Sequence, residues 1–113
     1  MTQILMILAA LSGAFAVVAG AFGAHGANGI AAEWLKTGAQ YQMIHAVAAL
    51  VALRLEAKAP AALFLLGGAI FAITLYLMAI GLPHWLGAVT PLGGLLLIAG
   101  WLWLGWIAMR RPA

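Results

Sequence analysis

Three histidines, two tyrosines and a few amide side chains are the residues of this chain whose types could do chemistry. His25 stands in Ala21-Phe22-Gly23-Ala24-His25-Gly26, and His45 closes Tyr41-Gln42-Met43-Ile44-His45. A Tyr41–His45 spacing of one helical turn puts both side chains on the same face. Tyr76, with Thr74 close by, and His84 complete the set. Such groups could handle protons, contact a ligand or hold a metal. An ionisable residue inside an apolar segment is costly, so His45 carries the greatest functional weight. The structural alternative is an imidazole bonded to Tyr76, Gln42 or a backbone carbonyl, pinning two helices together. His25 reads alternatively as a loop residue ending the first helix, and His84 as a loop residue behind Pro83.

No catalytic group emerges. The chain has no aspartate and no cysteine, its two glutamates are far apart in sequence, and Ser12 is its one serine. No nucleophile–base or acid–base pair follows from these residues. Thiolate metal sites are excluded, and the three histidines show no close His-x-x-x-His spacing, so neither metal nor cofactor is expected. The chain is not read as an enzyme.

The elements that must position these residues are membrane helices. The chain has 113 residues, 67% of them hydrophobic and 6% charged, with a mean hydropathy of +1.15. Soluble domains carry about 25% charged residues. A single all-α membrane domain over residues 1–113 is expected. About 20 apolar residues cross a bilayer, which gives four spans, near 4–22, 39–55, 61–82 and 85–109. The first lacks a basic leader and is longer than a signal-peptide core, so it is read as a retained helix. In the fourth, Pro91 either kinks a long helix beginning near Trp85 or starts the helix behind Thr90. The kinked long helix is preferred, because Trp85 to Val89 would otherwise be an apolar loop.

Between the first two spans, Ile30, Trp34 and Leu35 can share a face opposite Glu33 and Lys36. This predicts a short interfacial helix between helices 1 and 2. Trp34 and Trp85 then form the outer aromatic belt, and Trp101, Trp103 and Trp106 approach the inner one. Arg54, Lys58, Arg110 and Arg111 fall on one side of the four spans and Lys36 on the other. The positive-inside rule puts both termini in the cytoplasm of a bacterial cell, with a multi-pass chain in the inner membrane. His25, Tyr41, Gln42, His45 and Tyr76 then form a polar cluster toward the outer side, with His45 about two turns into its helix. The small residues around Gly13 and Gly20 lie on one face of the first helix and suit close helix packing.

The chain resembles the small inner-membrane proteins grouped as domain-of-unknown-function family 423. The resemblance rests on Ala21–Gly26, on Tyr41-Gln42-Met43-Ile44-His45-Ala46, on Leu75-Tyr76-Leu77 leading through Gly81 to Thr90-Pro91-Leu92-Gly93-Gly94, and on Gly100-Trp101. It implies a four-helix membrane protein of about this length and supplies no activity. The chain departs from the family pattern at Phe71-Ala72-Ile73-Thr74, where a small, serine-containing stretch is expected.

The expected role is structural: an interaction or lipid-binding accessory protein. Its expected partners are the lipid bilayer and a larger membrane complex or a homo-oligomer. The scattered basic residues do not suit nucleic acid. The alternative is a small oligomeric transporter or channel using the outer-side cluster around His45.

Overall fold

The computed structural model describes residues 1–112. The described chain is all-α: α1 (Thr2–His25), α2 (Gly29–Arg54), α3 (Lys58–Ala79) and α4 (Thr90–Arg110), with a 3₁₀ turn at His84–Ala88 before α4. Successive helices are antiparallel neighbours joined by short turns. α2 and α3 form the central pair, α1 packs on α2 and touches α3, and α4 packs on α3. The molecule measures 50 × 25 × 23 Å, longer than any single helix, since the 26 residues of α2 rise about 39 Å.

α1, α3 and the stretch His84–Arg110 are long and apolar enough to cross a membrane. α2 falls short of that composition because Glu33, Lys36, Gln40, Gln42 and His45 dilute it. Yet α2 is heavily enclosed, burying Leu35, Gln42, His45, Ala49 and Leu53 among others. α1 and α4 leave Phe15, Val18, Leu95, Leu102 and Trp106 exposed. Such outward apolar side chains suit a lipid surround, where association depends on close packing.

Two features of the sequence reading change. The expected interfacial helix is absent as a separate element, since residues 29–38 are the first turns of α2. The buried positions Ala32, Leu35, Ala39, Gln42, Ala46, Ala49 and Leu53 run as one stripe through the expected break. Gly38 does not interrupt it, because the Tyr76 ring fills the space its missing side chain leaves. The second change is at α4, which starts at Thr90 rather than as a kinked helix from Trp85, with Pro91 in its first turn. There the missing N–H costs no hydrogen bond. The 3₁₀ turn takes up the apolar residues from Trp85 onward.

The α2–α3 and α3–α4 connections use left-handed backbone to stop their helices. Gly81 has φ 106° and Glu56 has φ 61°. The amide of Ala57 reaches the Ala52 carbonyl at 2.8 Å, and that of Leu82 reaches Leu77 at 3.0 Å. Both are six-to-one closures of a helix C-terminus. Glycine suits this conformation, whereas a glutamate there is strained.

The helices approach most closely where glycine faces backbone. A side-chain carbon at Gly93 would stand 2.5 Å from the Phe71 amide nitrogen and 2.7 Å from the Gly67 carbonyl oxygen. One at Gly100 would stand 2.8 Å from the Phe64 ring. Phe64 is itself fully enclosed.

Candidate functional site

Helix α2 carries the buried His45 and Gln42, and side chains from α4 and α3 meet them on different faces. His45 is 6% exposed. Its Nδ1 lies 2.7 Å from the Tyr41 carbonyl oxygen, one turn earlier. Its Nε2 lies 3.0 Å from Trp101 Nε1 on α4. An indole N–H can only donate and a carbonyl can only accept. The neutral tautomer with its proton on Nδ1 therefore satisfies both contacts. Tyr41, Phe64 and Trp101 enclose the imidazole, with ring centroids 6.2, 5.7 and 5.9 Å away.

Gln42 turns toward α3 and α1. Tyr76 donates its hydroxyl hydrogen to Gln42 Oε1 at 2.7 Å. Phe15 of α1 stacks on the Tyr76 ring at 5.7 Å. Gly38 admits that ring, since a side-chain carbon there would lie 2.7 Å from Tyr76 Cε1. A third polar contact joins α3 to the start of α4, where the Thr74 and Thr90 hydroxyl oxygens are 2.6 Å apart. Thr74 also reaches the Ile70 and Phe71 carbonyls, and Thr90 that of Leu86. Among the described residues, no buried side-chain nitrogen or oxygen lacks a partner.

The five residues that the sequence groups as one polar cluster are thus separated. Gln42 and Tyr76 meet. His45 and Tyr41 share a different face, turned toward α4. Tyr41 is 42% exposed and packs its ring on Phe71 at 4.4 Å. His25 is exposed at the end of α1, away from the other four. His84 sits edge-on to Trp34 at 5.3 Å, tying the 3₁₀ turn to the start of α2. Among the described residues, no three His, Cys, Asp or Glu side chains come together.

The position of His45 along its helix also differs from the expectation. About 14 Å of helix separates it from Arg54 and about 24 Å from the opposite end of α2. It therefore lies about four turns, not two, from that end of its helix. The earlier start of α2 is the reason. Trp101 stands at the same level of the bundle, bonded to the imidazole. Its pairing with His45 was not read from the sequence, where a tryptophan near a helix end suggests the interface. The small-residue face divides too. Gly20 lies in ordinary contact with Ala39, but a side-chain carbon at Gly13 would meet nothing within 4 Å.

Beside these contacts run two grooves. One, of about 420 Å³, lies between α2 and α4 over α3 and is lined by Tyr41, His45, Phe71, Gly94, Leu97 and Trp101. The other, of about 330 Å³, lies between α1 and α3 and is wholly apolar at its surface, with Tyr76 among its walls. Neither presents a nucleophile with an adjacent base.

Comparisons with known proteins agree with this membrane architecture. Residues 19–94 match the family described as protein of unknown function DUF423. The chain is similar to a UPF0382 membrane protein of Haemophilus influenzae, 39% identical over 96% of this chain and 95% of the relative. It is 36% identical to the UPF0382 membrane protein YwdK of Bacillus subtilis, over 88% of this chain and 91% of the relative. It is 32% identical to the UPF0382 inner membrane protein YgdD of Escherichia coli, over 97% and 94%. No solved structure matches. With matched residues running from the last turns of α1 to the start of α4 and relatives aligned nearly end to end, the chain belongs to the DUF423 family of small membrane proteins, whose function is unassigned.

Proposed function

We propose that the chain is a four-span bundle of the bacterial inner membrane with both termini cytoplasmic, acting as a structural accessory protein that binds lipid or a larger membrane complex. The observation that carries this reading is the commitment of every interior polar side chain to another helix or to its own backbone. His45 is held by Trp101 and the Tyr41 carbonyl, Gln42 by Tyr76, and Thr74 by Thr90. Among the described residues, no buried side-chain nitrogen or oxygen is left without a partner. In lipid such bonds act as struts between helices. The unpartnered surface is instead the outer faces of α1 and α4, which are apolar and broad.

A transporter that used the cluster around His45 would need those groups to exchange partners with its cargo. It would also need several copies to form a path, since one four-helix chain has little interior. Both conditions favour the accessory reading over that one.

Extraction of the tagged protein from its own membrane in a mild detergent tests the role. A stoichiometric membrane protein or retained phospholipid is the expected companion. A lone monomer carrying neither would overturn the accessory role.

A further inference from the structure

The geometry points to a binding site for one anionic phospholipid between the C-terminal ends of α2 and α4, with Arg111 receiving the phosphate. This deepens the accessory reading and rests on it.

A groove of about 480 Å³ lies there, lined by Leu55, Trp101, Leu104, Gly105, Ala108 and Arg111 among others. Its walls are apolar except at the mouth, where the single charged side chain is a guanidinium. Arg111 donates from Nη2 to the Leu55 carbonyl, one of the carbonyls that the end of α2 leaves without an intrahelical partner. That bond fixes the side chain across the mouth. A guanidinium has five N–H donors, so others remain for a phosphate, which it can grip with two parallel bonds.

The dimensions suit a lipid chain. From Arg111 to Trp101 the groove follows about 15 Å of helix, the depth of one leaflet of a 30 Å hydrocarbon layer. Gly105 opens it, since a side-chain carbon there would meet nothing within 4 Å. Trp101 closes its far end.

The charge around the mouth favours an anion. Arg54, Lys58, Arg110 and Arg111 all stand at this end of the bundle. Arg110 is turned aside, over the Trp106 ring at 5.5 Å. Glu56, the acid at the same end, lines a different groove with Thr2, Met6 and Arg54. Among the described residues, no carboxylate lines the Arg111 groove. Basic residues at a membrane surface attract anionic headgroups. The occupant is therefore a diacyl glycerophospholipid with net negative charge, one acyl chain lying along Leu104 and Ala108.

Native mass spectrometry of the purified protein, equilibrated with equal phosphatidylglycerol and phosphatidylcholine, tests this. The expected result is retained phosphatidylglycerol in about fivefold excess. Arg111→Gln should bring the ratio near unity, Arg111→Lys should keep most of the excess, and Ala108→Phe should lower phosphatidylglycerol retention by filling the groove. Melting each variant in phosphatidylcholine alone separates loss of the site from loss of the fold. Equal retention of the two lipids by the unaltered protein would overturn the assignment. So would an excess that survives both Arg111→Gln and Ala108→Phe, since the lipid would then lie elsewhere on the surface. Displacement by millimolar inorganic phosphate would show a headgroup site without an acyl groove, and would also overturn it. A protein companion in native extracts decides the accessory reading separately, because this measurement uses purified protein and defined lipids.

Discussion

His45 is the residue around which the interior is arranged, and its two nitrogens are both engaged. If its bond to Trp101 is a strut between α2 and α4, the two side chains should be energetically coupled. His45→Phe keeps a ring in the space but leaves the indole N–H without an acceptor, and an expected loss of about 1–2 kcal/mol follows. Trp101→Phe removes the donor. In a double-mutant cycle on reversible unfolding in mixed micelles, the coupling should lie between about 0.6 and 1.7 kcal/mol. Additive losses would mean that the bond contributes nothing. Residue identity alone marks His45, Gln42 and Tyr76 as side chains that must find partners in an apolar chain. It pairs Gln42 with no one in particular, because partner choice depends on which way α2 is rotated. Trp101 was out of reach, since nothing in its type distinguishes an indole that anchors at the interface from one that donates to a buried imidazole. The positive φ at Glu56 was equally hidden, as turns of this kind usually show themselves by a glycine.

At the scale of the elements, glycine spacing in the sequence suggests close packing but does not say where. Gly13 and Gly20 look like the packing face of α1, yet only Gly20 lies against a neighbour. Tighter contacts are at Gly67, Gly93 and Gly100, where α4 crosses α3, and at Gly38, where the Tyr76 ring comes against α2. Gly93→Ala would set a methyl group against backbone that cannot swing aside, with an expected loss of about 1–3 kcal/mol. Gly13→Ala meets open space and improves helix propensity, so stability should be unchanged or rise by up to about 1 kcal/mol. Thermal unfolding of the two variants in one detergent compares them, and a similar loss at both positions would contradict the observed crossing. The presence of α1 and α3 was legible from uninterrupted apolar runs, but not their ends, since runs at 4–22 and 61–82 stand against helices Thr2–His25 and Lys58–Ala79. Nor was the start of α2 legible, because Gly38 reads as a break until Tyr76 is seen to occupy the space beside it. For α4 the preferred reading, a kinked helix from near Trp85, is the one the structure replaces, because a proline suits an interior kink and a first turn alike. The contact between Thr74 and Thr90 accompanies the first-turn placement.

For the whole molecule, the question is whether α2 crosses the membrane. Three stretches are apolar enough to do so on composition alone, and α2 is not among them. Yet α2 is flanked by α1 and α3 along its length and turns Gln42 and His45 inward onto partners. A helix whose polar side chains are paired inside a bundle can stand in lipid at far lower cost than its average composition suggests. Four crossings would gather Arg54, Lys58, Arg110 and Arg111 on the cytoplasmic side, as the positive-inside rule favours. Reporter fusions at each end of the chain measure this directly, with a phosphatase active only in the periplasm and a fluorescent protein that matures only in the cytoplasm. The expected result is fluorescence and no phosphatase activity at both ends. Phosphatase activity at one end with fluorescence at the other would mean an odd number of crossings, and would contradict the four-span bundle with α2 at its centre.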